Sequence, residues 1–285
     1  MFVAKEWLLE DPIASLEHVH KQLSVEDFSR PYALVFLKQV AITNVYVSNK
    51  LERTLPVGTS EKDAFNLLDT LFDDADEENA APYAEWDAEG QMRESNKKTA
   101  AQLVQHLRSL KFLMRMVAKP LTVDVIIKTH EVLMAGALDA DGTPIKNGII
   151  RSHPCHAGTH VYPEGKPAVL LDSLHCIVDE YNDAAFAPSL VLPAARLFYD
   201  VITLHPFQNG NGRLCRLLFA FAMMQSGVPF PVALTTGHSR ARSHYMKAIL
   251  LARRGDFREL NTMALMSVES VVATFLENAR CMAET

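Results

Sequence analysis

Nine residues, HPFQNGNGR at 205–213, sit between two apolar runs and interrupt them abruptly. Upstream, Ala194, Leu197, Phe198, Val201 and Leu204 recur at helical steps and form one apolar stripe within 190–204. Downstream, Leu214 to Met224 is apolar almost all round except for Arg216, the pattern of a helix buried on every side over 213–225. Pro206 disfavours the helical region for His205, so the first helix ends there. Gly210-Asn211-Gly212 then opens the second. A helix with so little polar surface needs other helices around it, and this constrains the fold more than any other stretch.

The rest of the chain supplies them. Residues 31–52 carry Leu34, Leu37, Ala41, Val45, Ser48 and Glu52 at steps of three and four, which predicts one inward face. Ser60 is placed to cap a helix over 60–72, with Phe65, Leu68 and Leu71 on one side. Helical patterning returns over 97–118 and stops at Pro120, and Thr122 caps a helix running to about Met134. Further helices are expected at 169–182, 239–253 and 256–278. The acidic run 73–79, DDADEEN, reads as a solvated loop or helix end. Residues 139–168 form the longest irregular stretch, in which Gly148–Arg151 and Thr159–Tyr162 are expected to pair as a short hairpin. The fold class expected is all-α, a helical bundle with that hairpin attached.

Hydrophobic residues make up 48% of 285, enough for a sizeable core in one or two domains. A net charge of −6 gives no reason to expect a nucleic-acid or membrane surface. Met1 to Glu6 is too charged for a signal peptide, and no stretch is apolar for long enough to span a bilayer. Cys155, Cys176, Cys215 and Cys281 have no paired spacing and read as reduced thiols of a cytoplasmic or nuclear protein.

The interruption itself has a chemistry. A helix start leaves N–H groups free and carries the positive end of the dipole, and glycines let a phosphate approach the backbone. Arg213 and Arg216, one turn apart, add two guanidinium forks to that face. His205 stands just before the cradle and can take a proton near neutral pH. The residues therefore describe a polyphosphate cradle beside a candidate general base, against the plainer reading of a tight helix–helix turn with surface arginines. Other motifs fit poorly. Asp139-Ala140-Asp141-Gly142 lacks the later ligands of a calcium loop, and His153, Cys155, His156 and His160 match no standard zinc spacing. Gly212 is followed by Arg213 and Leu214 instead of the Lys and Ser/Thr of a P-loop.

HPFQNGNGRLCR resembles the signature of the Fic family, His-Pro-Phe-x-Asp/Glu-Gly-Asn-Gly-Arg-x-x-Arg, at eleven of twelve positions. Gly148 to Pro163, with Gly158, Thr159 and His160, resembles the family's flap, and His244-Tyr245 to Gly255-Asp256 resembles the helix after the motif. The likeness covers about residues 99–265. It implies a Fic-type helical bundle that transfers AMP from ATP to a protein hydroxyl. His205 would deprotonate the target Ser, Thr or Tyr, and Phe207 would anchor the loop. The amides of Gly210, Asn211 and Gly212 would hold the phosphates. Arg213 would contact them as well, and Arg216 the terminal one. The flap would align the target backbone as an added strand. Tyr245 matches a family position near the nucleobase, and Arg253 stands where the family usually has Asn. ATP and a protein substrate, the chain itself included, are the implied partners, and a homodimer is compatible with this.

One departure stands out. Asn209 occupies the position of the family's acidic residue, which holds Mg²⁺ against the phosphates. An amide oxygen can ligate Mg²⁺ (or Mn²⁺) but brings no charge. Weaker metal binding, a different nucleotide or phosphate orientation, and nucleotide binding without turnover in a regulatory pseudoenzyme are the three consequences open at this point. Upstream, Ser48-Asn49-Lys50-Leu51-Glu52 resembles the family's inhibitory Ser/Thr-x-x-x-Glu helix, although Arg53 replaces the usual Gly or Asn. Glu277-Asn278 is a rival, with Ala273 where Ser or Thr belongs, and Glu52 is the better match. Related enzymes with such a glutamate can also remove AMP, which leaves the direction of transfer open. The division expected is an N-terminal helical region, 1–98, carrying an inhibitory helix at 31–53, and a catalytic core with C-terminal helices at 99–285.

Overall fold

The computed structural model describes residues 31–55, 60–74, 97–138, 142–157, 160–184, 191–235 and 240–283. Most of the acidic run, Asp139 to Asp141, and Gly158 and Thr159 lie outside them. The described residues form nine helices and one two-stranded antiparallel sheet. In chain order these are α1 (Pro31–Glu52), α2 (Glu61–Asp74), α3 (Lys97–Met116), α4 (Val123–Met134), β1 (Cys155–Ala157), β2 (His160–Tyr162), α5 (Pro167–Ala184), α6 (Val191–Leu204), α7 (Asn211–Gln225), α8 (Ala241–Ala252) and α9 (Arg258–Ala283). The described residues form an all-α bundle with a small hairpin, as the sequence led us to expect. None of the described helices is long and apolar enough to cross a membrane.

Helix α7 is the centre of the core. Leu214, Cys215, Leu217, Leu218, Phe219, Ala220, Phe221 and Met223 are all fully buried, so its apolar character on every side has partners on every side. It packs against α6 most extensively, and also meets α1, α3 and α4. Thr122 caps α4 by accepting the Val125 N–H at 3.2 Å, as its position before an apolar period predicts. A second apolar cluster joins the start of α1 to α9 through Phe36, Phe230 and Phe275, whose ring centres lie 4.9 to 5.3 Å apart.

Two expectations are corrected here. The inward face of α1 holds at Ala41, Val45 and Ser48, but Leu34 is 69% exposed. The first turns of α1 meet Phe230 and Phe275 instead of α7, and Ala33 and Phe36 make that contact. The hairpin also pairs differently. Cys155, His156 and Ala157 oppose Tyr162, Val161 and His160, while Ile150 forms a bridge with Phe207. The reason lies in the interruption: Pro206 leaves a free carbonyl there, and the Arg151 N–H donates to it at 2.9 Å.

Candidate active site

The site is built where α7 begins. Gly210 adopts a left-handed conformation with φ of 77°, directly before Asn211, and no side chain caps this helix start. A Cβ at Gly210 would lie 2.5 Å from Met134 Sδ, so glycine is required for space as well as for φ. Asn211 closes the loop on itself: its Oδ1 accepts from the Phe207 N–H at 3.1 Å and its Nδ2 donates to the Phe207 carbonyl at 2.7 Å. Phe207 is fully buried and stacks face to face on His130, with ring centres 3.8 Å apart.

His205 is 6% exposed and holds a positive φ of 52°, a conformation that side chains other than glycine adopt rarely. Its Nδ1 lies 3.3 Å from the Ile202 carbonyl. A carbonyl only accepts, so Nδ1 carries the proton and Nε2 keeps a lone pair. Burial lowers its pKa to about 4, against the pull of the Ile202 carbonyl, and the Arg151 and Arg253 charges lower it further. The imidazole is therefore neutral at physiological pH and can accept a proton at Nε2.

Both motif arginines are buried, contrary to the plainer reading of them as surface cations. Arg213 is 5% exposed and donates to Gln102 Oε1 at 2.9 Å and to Met134 Sδ at 3.3 Å. Burial lowers its pKa to about 10, still far above neutrality. Arg216 is 2% exposed and has each of its three guanidinium nitrogens engaged. Its Nε donates to Ser48 Oγ at 2.7 Å and its Nη1 to the Tyr245 hydroxyl at 3.1 Å. Its Nη2 donates to the Ser48 carbonyl at 3.2 Å and to Glu52 Oε1 at 2.6 Å.

Glu52 ends α1 beside Arg216, with 38% of its side chain exposed. Burial pushes its carboxyl up, but Arg216, Arg213 and Arg242 outweigh this and hold it below the usual range. A Cβ added to Gly212 would collide with Glu52 Oε1, so the carboxylate lies against the first turn of α7. It stands where an anion would be drawn by the free N–H groups and the dipole. Glu277, by contrast, is exposed on α9, and the partners of Arg216 come from α1 and α8.

Arg53 explains its own mismatch. It has a φ of 55°, its N–H bonds the Lys50 carbonyl, and the Thr54 N–H bonds the Asn49 carbonyl, both at 3.1 Å. This is a Schellman end with Arg53 in the left-handed position, where Gly or Asn is favoured. Replacing Arg53 by Gly removes a strain of about 1 kcal/mol. The expected result is a melting temperature higher by about 2 °C, measured by thermal denaturation; an unchanged or lower value contradicts the strain.

Asn209 is engaged twice. Its carbonyl bonds His130 Nε2 at 2.9 Å, and its own Oδ1 accepts the Gly210 N–H at 3.2 Å. Tyr245 is 6% exposed, and its hydroxyl serves Arg216. Of the flap residues named from the sequence, His160 begins β2 with its ring edge-on to Tyr162, while Gly158 and Thr159 lie outside the described residues.

Three residues that the motif does not contain hold the parts together. His130 accepts the Gly148 N–H at Nδ1, 2.8 Å away, and joins the flap to the Asn209 loop. Arg151 donates from Nε to the His205 carbonyl at 2.7 Å and from Nη1 to the Pro163 carbonyl at 2.6 Å. Tyr162 stacks on His205 with ring centres 4.0 Å apart. A lone histidine on the apolar helix α4 reads as core, and an arginine in a loop reads as surface, so neither gave a signal.

Residues 120–223, which include His130, Arg151, Tyr162 and the whole motif, match the Fic/DOC family. This segment is similar to the Fic domain. Over 141 residues the chain is 33% identical to the protein adenylyltransferase fic-1 of Caenorhabditis briggsae, which covers 48% of this chain and 25% of that protein. It is 32% identical over 139 residues to the protein adenylyltransferase Fic of Drosophila virilis, with 48% and 26% covered. The chain thus matches about a quarter of the length of these relatives. Among solved structures, a fragment of Fic-1 from Caenorhabditis elegans superposes with a TM-score of 0.68 at 20% identity, over 93% of this chain and 71% of that one. A Fic-domain protein of Bacteroides thetaiotaomicron gives 0.66 at 19% identity, over 93% and 97%. These likenesses extend the Fic fold beyond the matched domain to nearly the whole chain.

Proposed function

We propose that this chain is a protein adenylyltransferase that transfers AMP from ATP to a Ser, Thr or Tyr hydroxyl of a target protein, and that Glu52 restrains it. The observation that carries the reading is the neutral His205, with Nδ1 tied to Ile202 and Nε2 free to accept, beside a helix start faced by two buried arginines. The curated relatives over the Fic domain are named protein adenylyltransferases, which supports the same activity.

In this mechanism His205 Nε2 takes the proton of the target hydroxyl. The hydroxyl oxygen forms a bond to the α-phosphorus of ATP, the bond from that phosphorus to the bridging oxygen breaks, and pyrophosphate leaves. The N–H groups of Asn211 and Gly212, with Arg213, hold the phosphates as charge develops, and that of Gly210 joins them if it leaves Asn209 Oδ1. Arg216 takes the terminal phosphate once Glu52 releases it. Tyr245, as the other side-chain partner of Arg216 besides Ser48 and Glu52, keeps that guanidinium in place. The free edge of the β1–β2 hairpin offers backbone groups to an extended target segment. Residues 99–285 are the catalytic unit in this account, and 31–53 the restraint.

Asn209 is the residue that would hold Mg²⁺. One lone pair of its Oδ1 is spent on Gly210 and the other is free, which suits a cation held mainly by substrate phosphates and water. Mg²⁺ would there neutralise phosphate charge. Asn209→Asp adds a charged ligand and is expected to lower the Mg²⁺ concentration for half-maximal transfer severalfold. An unchanged metal titration would show that this side chain does not face the metal.

The reading is tested by incubating the chain, and its Glu52→Gly variant, with a panel of labelled nucleotides and a cell extract, followed by mass spectrometry of modified protein. AMP on a hydroxyl side chain is the expected product. Another nucleotide would correct the donor, and no modification by either form would favour a nucleotide-binding regulatory module.

A further inference from the structure

Tyr162 lies between the candidate base and a cation that the family pattern lacks. Its ring rests on His205 at an interplanar angle of 15°. Its hydroxyl donates to the Ile202 carbonyl at 3.1 Å, the same carbonyl that receives His205 Nδ1. Arg253, the residue that ends α8, donates from Nη2 to that hydroxyl, with its guanidinium carbon 5.7 Å from the ring centre.

A cation at a helix C-terminus has an ordinary explanation in the helix dipole. That explanation would be met by a side chain extended into solvent. Arg253 instead folds onto the flap, and its Nε is buried without a hydrogen-bond partner among the described residues. Burying a charged donor unpaired is costly, so the position is not one that helix capping selects.

We propose that Arg253 and Tyr162 are a positioning pair for His205: Arg253 fixes the Tyr162 hydroxyl, and Tyr162 fixes the imidazole by stacking and by sharing the Ile202 carbonyl. The proposal rests on the reading of His205 as the general base. It gives that base one orientation, with Nδ1 held on the Ile202 carbonyl and Nε2 left to accept. It also assigns a role to a departure from the family pattern, since Asn at this position could not carry the charge.

Four groups bear on the charge of His205. Arg151 faces it from the segment before β1, Arg253 from the end of α8, and Glu52 from the end of α1. Tyr162, from β2, is itself kept neutral by burial. The two arginines oppose an imidazolium and Glu52 favours it. Removing the Arg253 charge must therefore raise the proton affinity of His205, whereas loss of a purely structural contact would leave it unmoved.

The test uses the full chain with ¹³C-labelled histidine, titrated by NMR, with the His205 signal assigned by its loss in His205→Ala. The wild-type ring is expected to stay neutral down to about pH 5. Arg253→Met should bring its midpoint up, and Arg253→Lys should keep it near the wild-type value. In the Glu52→Gly background, Tyr162→Phe should lower kcat for transfer with little change in KM, as expected when only the orientation of a base is lost. A folded Arg253→Met variant with an unmoved midpoint overturns the proposal. If that variant does not fold, a Tyr162→Phe variant with wild-type kcat overturns it. If the midpoint moves as expected but the Glu52→Gly chain transfers nothing, the pair stands and the transferase reading falls.

Discussion

His205→Ala is expected to abolish transfer while nucleotide still binds. A positioned general base contributes on the order of a hundredfold to ten-thousandfold in rate, and nothing else at this site can replace Nε2. The neighbouring imidazole of His130 has both nitrogens engaged, by Gly148 and by Asn209, and burial lowers its pKa to about 4. Nucleotide binding should survive because the phosphate contacts come from α7 backbone amides and from Arg213, which the substitution leaves in place. Labelled ATP measures transfer, and equilibrium binding of ATP measures the rest. Transfer by the variant within threefold of wild type would remove His205 from the mechanism. Because the native His205 has a positive φ, His205→Asn, which tolerates that backbone better than alanine does, gives a second inactive form without a confounding loss of fold.

Glu52→Gly is expected to raise self-labelling with ATP at least tenfold. Freeing Arg216 to grip the terminal phosphate need be worth only about 1.4 kcal/mol at the transition state to give that factor. The restraint is a competition between anions. Arg216 has one position for a strong partner, and Glu52 Oε1 occupies it at 2.6 Å, against the helix start where phosphate would lie. Truncation leaves Arg216 with Ser48 and Tyr245, so the guanidinium stays oriented for a phosphate while its charge is unpaired. Adding Arg216→Ala should erase the gain, and Glu277→Gly alone should do nothing, since Glu277 is exposed on α9. Equal labelling by wild type and Glu52→Gly, with activation by Glu277→Gly, would move the restraint to the other end of the chain.

The sequence alone determined much of this protein. The buried character of α7 follows from an apolar run with no polar face, and its starting point follows from Pro206 and the glycines at 210 and 212. The cap at Thr122 and the inner stripe from Ala41 to Ser48 followed from local periodicity, which acts over a few residues and is written in adjacent positions. The position of Glu52 on that stripe predicted that its carboxylate must meet a cation, because a buried face does not tolerate a lone charge. Tertiary structure alone decided which contacts the irregular segments make. Ile150 pairs with Phe207, and Arg151 with His205, because a proline-broken helix leaves carbonyls that must find donors from anywhere in the chain. Leu34 faces outward because the neighbours of α1 change along its length, which helical period cannot report. His130, Arg151, Tyr162 and Arg253 reach their partners across 18 to 91 residues of sequence. No spacing rule connects them; only the packing of α4, α8 and the hairpin around one turn brings them to the same histidine and the same loop.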